Sequence, residues 1–215
     1  MPKETILVLC AHNDDHTIGA GGTIAKYKRE GKKIVVVIFS YGENTHLWLK
    51  KKVTIKMRVE ESKRSDKILG IKNVVYLGLT ESKFKKEFKE KNIEKKLTRV
   101  IERENPSKIF THSIDDPHPD HRAVYNLALS ITDKIKYKGE IYSFEIWNPV
   151  NLRKRDNPKL VVDITKTFDK KINAIKTHKS QKMSIISLLW NVYRKDFFHG
   201  LSNHCRFAEI FYKIR

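Results

Sequence analysis

Two clusters of acidic and imidazole side chains, far apart in the sequence, carry the chemistry available to this chain. The first is the stretch 11–16, Ala-His-Asn-Asp-Asp-His, directly after an apolar run at residues 5–9. Its adjacent carboxylates raise each other's pKa and lose hydration when one loop gathers them. A bound divalent cation would compensate this cost, because imidazole nitrogen and carboxylate oxygen are ordinary ligands of zinc and similar metals. The stretch therefore predicts a metal-dependent hydrolase, with a further ligand supplied by another part of the chain.

The second cluster, Asp-Asp-Pro-His-Pro-Asp-His-Arg at residues 115–122, follows a short strand-like run at 108–111. Strand-like and helical patterns alternate along the chain. The strand patterns lie at 5–9, 33–39, 73–77 and 108–111, and the helical patterns lie at 17–29, 53–69 and 93–101. This alternation predicts an α/β fold with a mainly parallel sheet. In such sheets ligands bind beyond the carboxyl ends of the strands. We therefore expect both clusters to meet at one edge of a three-layer, Rossmann-like sandwich, formed by a single domain over residues 1–215.

The remaining elements are predicted from weaker patterns. A helix is expected from Pro119 to about residue 135, strands at 140–147 and 160–163, and a helix around 168–175. A helix at 185–193 and a strand, in preference to a helix, at 205–214 would complete the fold. The glycine cluster at 19–22 does not match a dinucleotide fingerprint, which would need glycine in place of Ile24, so we interpret it as allowing close helix packing.

Composition limits the alternatives. No apolar run approaches the roughly 18 residues of a membrane span, and the N-terminus lacks the apolar segment of a signal peptide, so we expect a cytoplasmic protein. Cys10 and Cys205 are too few and too far apart for a disulfide framework, and both are expected to be buried. The net charge of +19 makes nucleic acid a partner to consider, but glutamates alternate with the lysines of 83–91. A solvated charged surface is favoured, and a polyanion-binding protein with a vestigial site is the alternative.

The two clusters together resemble the PIG-L/LmbE family of metal-dependent N-deacetylases. The resemblance rests on Ala-His-x-Asp-Asp after the first strand and His-Pro-Asp-His after the fourth. Weaker fragments follow in the same order along the chain: Gly-Ala-Gly-Gly-Thr at 19–23, Val-Asp-Ile-Thr at 162–165, His-Lys-Ser-Gln at 178–181 and Ala-Glu at 208–209. It implies removal of acetate from an N-acetylglucosamine-type amide, with a small amino sugar as substrate. A metal hydrolase of another amide or of a thiol-pathway conjugate is the alternative on the same fold.

The resemblance also implies roles for individual residues. It implies zinc, with Fe²⁺ as another possible metal, held by His12, Asp15 and His121, with Asp14 as the general base. It implies that His118 assists at the carbonyl oxygen or the leaving amine. Three protein ligands leave one position of a tetrahedral metal open for water. A carboxylate beside that water can take its proton during attack on an amide carbon.

Two positions have more than one interpretation. The family often has glutamate where His16 stands, so this imidazole is either an extra ligand, a side chain that contacts the ligands, or polar surface. Asp120 is either a residue that orients a metal-bound histidine or only a favourable charge at a helix N-terminus. Asn13 replaces a proline of the family and tolerates turn conformations.

Further residues at this edge of the sheet are predicted to contact the substrate because polar and aromatic side chains suit a sugar. They are Arg58, Trp48, Asp116, Glu145 and His178, with His46 and Trp147 as weaker candidates. Three other histidines, at 112, 199 and 204, are expected to have no special role. The oligomeric state is not visible in the sequence, and a homo-oligomer is possible.

Overall fold

The computed structural model describes residues 4–44, 50–146 and 157–215, and within the last helix it describes side chains from residue 187 onward. These residues form one seven-stranded sheet in the order β3-β2-β1-β4-β5-β7-β6. All neighbouring pairs are parallel except those of β7, which runs antiparallel to both β5 and β6. The strands are β1 Thr5–Cys10, β2 Lys33–Ser40, β3 Asn73–Leu79, β4 Lys108–His112, β5 Glu140–Phe144, β6 Lys159–Asp163 and β7 Ala208–Lys213.

Helices cover both faces of the sheet and so make three layers. The described helices are α1 Asp15–Arg29, α2 Lys51–Leu69, α3 Phe84–Glu90, α4 Ile93–Glu104, α5 Pro119–Lys134, α6 Phe168–Ile175 and α7 Lys182–Leu201. One hydrophobic core lies between the sheet and α1, α2, α6 and α7, and the other between the sheet and α3, α4 and α5. The predicted α/β sandwich with a mainly parallel sheet is confirmed.

The central strands follow from their sequence. β1 and β2 are runs of β-branched and aliphatic residues without alternation, and both are buried almost throughout. This is the pattern of parallel strands covered by helices on both faces. In α4 the apolar positions Ile93, Leu97, Val100 and Ile101 all face the core, and the helix ends before Asn105 and Pro106, as the spacing predicts.

The structure differs from the sequence-based expectations at several places. The charged run 83–91, expected to be solvated surface, contains the short helix α3, whose Phe84 is buried in the core. α7 is much longer than the predicted helix at 185–193, and the closing strand is β7. Cys10 is buried as expected, but Cys205 is only partly buried. Among the described residues, the helices include none long and apolar enough to cross a membrane.

The glycines of α1 allow close packing, as predicted. A Cβ at Gly19 would lie 2.5 Å from the Phe144 ring, and one at Gly22 would lie 2.6 Å from Ile164 Cδ1. The backbone amides of Gly22 and Thr23 also donate to the carboxylate of Glu209 in β7, at 3.0 and 2.7 Å. The helix that follows the first cluster is therefore tied to the last strand of the sheet.

Candidate metal centre and active-site cavity

The two clusters meet because β1 and β4 are neighbours in the sheet. β1 ends at Cys10 and leads through a short loop into α1, and β4 ends at His112 and leads through a loop into α5. The strands pair in parallel, with Leu7 opposite Ile109 and Val8 opposite Phe110. Their carboxyl ends, and the loops that follow, consequently open on the same edge, where connections leave β1 and β4 toward opposite faces of the sheet.

His12, Asp15 and His121 form a compact set of buried donor atoms. His121 Nε2 lies 3.3 Å from His12 Nδ1 and 3.5 Å from Asp15 Oδ1, and His12 Nδ1 lies 3.8 Å from Asp15 Oδ2. Three ligands at zinc-like bond lengths on a tetrahedral ion would be about 3.4 Å apart. The spacing of the three donors therefore fits a single small divalent metal ion.

Electrostatics around His12 also favours a positive charge at this point. Burial by itself lowers the pKa of His12, but the carboxylates of Asp120, Asp15, Glu81 and Asp14 outweigh burial and raise it to about 9. Four acidic groups directed at one imidazole create a site that attracts a cation, either a proton or a metal ion. Metal binding would satisfy these carboxylates and leave the ring neutral, as a metal ligand must be.

Carboxylates fix the orientation of the second histidine. Asp116 Oδ2 lies 3.0 Å from His121 Nδ1, on the side of the ring away from His12 and Asp15. A carboxylate beside Nδ1 favours the tautomer that keeps the proton on Nδ1, and this leaves the lone pair of Nε2 for a metal. Burial raises the pKa of Asp116, but the contacts with His121 more than offset it, so the group stays ionised.

His118 is the N-terminal cap of α5, and this fixes its chemistry. Its Nδ1 accepts a hydrogen bond from the backbone amide of Asp120 at 3.2 Å. The neutral ring must then carry its proton on Nε2. Burial and the neighbouring His12 and His121 lower the pKa of His118. The half-buried imidazole thus offers an N–H group beside the donor set.

Asp14, at the start of α1, is held by a charged partner from α2. Arg58 Nη2 lies 3.3 Å from Asp14 Oδ1, and both side chains are nearly buried. The loop after β2 leaves room for the guanidinium only because residue 42 is glycine. Gly42 has φ of +69°, and a Cβ there would lie 2.6 Å from Arg58 Cζ. Asp14 therefore has a defined position next to the three donors.

These side chains surround a cavity of about 100 Å³. This volume has room for about three water molecules, which is the scale of a small polar group rather than of a whole sugar. The lining residues are His12, Asp14, Asp15, Ile18, Arg58, Glu81, His118, Ile146 and Gln181.

The sequence profile of the PIG-L family, described as GlcNAc-PI de-N-acetylase, matches residues 7–132, more than half of the chain. The chain belongs to the PIG-L family. The match includes both clusters, and it confirms the resemblance and the prediction of a deacetylase that acts on an amide.

This PIG-L chain is similar over most of its length to curated proteins and to a solved structure. A diacetylchitobiose deacetylase of Thermococcus kodakarensis is 28% identical, over 94% of this chain and 80% of its own length. The structure of the N,N'-diacetylchitobiose deacetylase from Pyrococcus horikoshii superposes with a TM-score of 0.80 at 25% identity and covers 99% of this chain and 84% of that one. A 4-oxalmesaconate hydratase of Pseudomonas putida is also 28% identical, over 90% of this chain and 78% of its own.

Some side chains predicted to touch substrate lie elsewhere in this PIG-L chain. Asp116 is 1% exposed, contacts His121 and the backbone amide of His118, and does not line the cavity. Glu145 is a neighbour of the buried Lys171–Asp196 ion pair, outside the cavity lining. Contact of either carboxylate with substrate stays a prediction.

The other predicted contacts have different outcomes. Arg58 lines the cavity, whereas His178 is buried outside the lining. Burial lowers the pKa of His178 to about 4, so its ring is neutral at physiological pH. Trp48, together with His46 and Trp147, lies outside the described residues.

Asp120 and His16 were open cases, and the structure shows what each contacts. Asp120 Oδ2 lies 3.6 Å from His12 Nε2 and accepts a hydrogen bond from the backbone amide of Ser82 at 2.8 Å. His16 is fully buried, and its Nε2 lies 2.9 Å from Asp66 Oδ1 in α2. His16 thus faces α2, and it belongs to none of the groups of possible metal ligands among the described residues.

Two residues of the site were missed in the sequence. His112, expected to have no special role, lies with Nε2 3.2 Å from Asp15 Oδ2, and its ring stacks on His121 at 3.9 Å. Glu81, in the loop after β3, lies with Oε1 3.6 Å from His12 Nε2. The available signal was position, since His112 ends β4 and Glu81 follows β3 at the edge that carries both clusters.

Proposed function

We propose that this PIG-L protein is a zinc-dependent deacetylase that removes the acetyl group from an N-acetylglucosamine-type substrate. The observation that carries the proposal is the close grouping of His12, Asp15 and His121, whose imidazole nitrogens and carboxylate oxygens approach one another to 3.3–3.8 Å. Asp14 and His118 border the same cavity. Relatives named as deacetylases of N-acetylated sugars support the substrate class.

The donor set suits zinc, since two imidazoles and one carboxylate match a catalytic site with one position left for water or substrate. When bound, such an ion acts as a Lewis acid that lowers the pKa of water and polarises a carbonyl group. Asp116 would keep His121 in place for it, and the backbone amide of His12, which donates to Asp15 Oδ2 at 2.7 Å, would keep Asp15 in place. Fe²⁺ is the alternative metal, because cellular availability as well as affinity decides loading.

Asp14 and His118 carry out the proton transfers of the reaction. Asp14, held by Arg58, accepts the proton of the attacking water. As the amide carbon becomes tetrahedral, the Nε2 proton of His118 is available to the developing oxyanion or to the leaving nitrogen. Proton transfer to that nitrogen lets the C–N bond break and yields acetate and a free amine.

Substrate recognition beyond the acetamido group is proposed to involve Arg58 and Glu81. Both line the cavity, and their charged groups can exchange hydrogen bonds with the hydroxyls of a sugar ring at its mouth. The small cavity itself suits an acetamido group. Trp48 remains a predicted contact.

The decisive experiment measures acetate release from N-acetylglucosamine, N,N'-diacetylchitobiose and a set of non-sugar acetamides. Asp14→Asn is expected to lower kcat by about 10²–10⁴-fold while metal content, measured by elemental analysis, stays unchanged. Asp15→Asn is expected to lose both metal and activity. Asp169→Asn, an exposed change in α6, serves as the matched control.

Other results would contradict parts of the proposal. Full turnover by metal-loaded Asp14→Asn would show that Asp14 is not the base. Activity confined to non-sugar acetamides would overturn the substrate class. Retention of DNA that survives chelation, without acetate release or stoichiometric metal, would favour the polyanion-binding alternative.

Three further expectations are part of the proposal. The residues 1–215 are proposed to act as one deacetylase domain, since one sheet takes strands from both ends of the chain. A cytoplasmic location and a possible homo-oligomer also remain predictions. Fractionation and light scattering would test them.

A further inference from the structure

The outer face of α7 exposes an unusual amount of apolar surface. Of the eight large hydrophobic residues that are exposed in the described part of the chain, five lie in this one helix. We call them the α7 outer face: Trp190, Tyr193, Phe197, Phe198 and Leu201. Trp190 is 75% exposed, and Phe198 and Leu201 are each 56% exposed. Single exposed apolar residues are ordinary, but a cluster of this kind marks an interaction surface.

The opposite side of α7 already has its partners. Leu188 and Val192 are buried in the core. Tyr193 packs edge to face on Phe168, with ring centroids 4.8 Å apart, and so secures one border of the outer face. Among the described residues, the internal packing uses one side of α7, and the outer face remains exposed.

Three residues of the outer face and Arg194 lie along one line of the helix. Trp190, Arg194 and Phe198 are spaced four residues apart, and Leu201 follows three residues later, so they lie above one another. From Trp190 to Leu201 the line is about 16 Å long. It presents aromatic and aliphatic groups with a cationic side chain between them, the composition of helices that lie in a membrane interface.

Basic residues predominate in the segment that contains the outer face. Residues 164–207 contain nine Lys or Arg and two acidic residues, the exposed Asp169 and the buried Asp196. Asp196 is buried and forms an ion pair with Lys171 at 2.7 Å, so it does not neutralise the surface. Arg206 adds a guanidinium 5.4 Å from the ring centre of Phe207, beside Phe197.

We propose that the α7 outer face docks this protein on the surface of a lipid bilayer that contains anionic lipids. The rings and Leu201 enter the headgroup region, and Arg194 and Arg206 contact lipid phosphates. A second copy of the chain fits this face less well, because its own outer face would bring the same cations into contact. The chain as a whole carries a charge of +19, which opposes self-association and favours an anionic surface.

The test is sedimentation of the full-length, metal-loaded protein with vesicles of phosphatidylcholine alone or of phosphatidylcholine and phosphatidylglycerol in equal parts. Binding is expected only to the anionic vesicles and is expected to weaken as salt is raised. Trp190→Ser with Phe198→Ser should weaken binding at least about tenfold. Val53→Ser, an exposed apolar change in α2, is the matched control and should have no effect.

A fluorescence measurement identifies the contact itself. Vesicles with brominated acyl chains should quench part of the tryptophan emission of the wild-type protein. Trp190→Phe should still sediment with the vesicles but should lose that quenching, although Trp48 and Trp147 remain in the chain. Circular dichroism and thermal melts would verify that the variants are folded.

Several results would overturn the proposal. It fails if anionic vesicles do not bind, or if the Trp190→Ser, Phe198→Ser protein binds as well as wild type. It also fails if these substitutions abolish a dimer detected at micromolar concentration, which would assign the face to a second copy. Loss of oligonucleotide binding in the same variants, without any vesicle binding, would assign it to nucleic acid instead.

Discussion

Replacing His16 by the glutamate common in the family should destabilise this protein strongly. His16 Nε2 lies 2.9 Å from Asp66 Oδ1, and the two side chains are 0% and 8% exposed. His16→Glu would put a second carboxylate beside Asp66 and remove the hydrogen bond. Two unit charges 4 Å apart repel by about 4 kcal/mol at an effective dielectric constant of about 20. The lost hydrogen bond adds about 1–3 kcal/mol.

The expected loss of about 5–7 kcal/mol is comparable with the whole stability of many domains, about 5–15 kcal/mol. Urea unfolding of His16→Glu, Asp66→Asn and the double variant at neutral pH measures it. The double variant should recover at least half of the loss, because an amide beside the new carboxylate removes the repulsion and can donate a hydrogen bond. Ser130→Glu is the control: it adds the same charge at an exposed position of α5 and should change the free energy of unfolding by no more than about 0.5 kcal/mol. Additivity of the two single changes within about 0.5 kcal/mol would refute the reasoning.

Three other changes test separate parts of the structure. Gly22→Ala should cost about 1–3 kcal/mol in unfolding experiments, because its Cβ would lie 2.6 to 2.9 Å from Ile164 Cδ1, Cβ and Cγ2. Ile164→Ala removes Cδ1 and Cγ2 and should reduce that cost; equal costs in both backgrounds would contradict it. Burial raises the pKa of Glu4, but hydrogen bonds from one serine and two lysines outweigh the effect of burial and lower this pKa to about 2. The stability that the Glu4 carboxylate contributes is therefore present above the unfolded-state pKa near 4.5 and is lost as the pH falls toward 2. The free energy of unfolding of Glu4→Gln should consequently fall less steeply with acid than that of wild type. His112→Gln should weaken metal binding about 10–100-fold in chelator competition, because it removes the ring that stacks on His121 at 3.9 Å, and unchanged affinity would show that this packing does not support the ligand.

Much of the fold follows from local patterns in the sequence. β2 is an unbroken β-branched run, and α4 repeats its apolar residues at helical spacing. Each of these segments by itself is therefore enough to predict a strand or a helix. α3 was missed because the lysines and glutamates around Phe84 have the pattern of a solvated surface. A single buried ring in a charged segment gives little periodic signal.

The residues of the candidate site also differ in how well the sequence predicts them. Residues inside the two clusters were found because their types and spacing are dense within a few positions. His112 was missed because its proximity to Asp15 depends on the register between β4 and β1. The partner of His16 was missed because Asp66 is 50 residues away in another helix. Contacts of this kind arise from packing between elements, which a local pattern does not record.

The hydrogen bonds from Gly22 and Thr23 to Glu209 have a consequence for how the protein is made. These bonds join positions 187 and 186 residues apart, so they form only after almost the entire chain has left the ribosome. Until then, α1 lacks the carboxylate that receives two of its amides, and β5 lacks its antiparallel neighbour. Closing so long a loop comes late in folding. The helix that begins at Asp15 therefore gains its contact with β7 only after residue 209 has been synthesised.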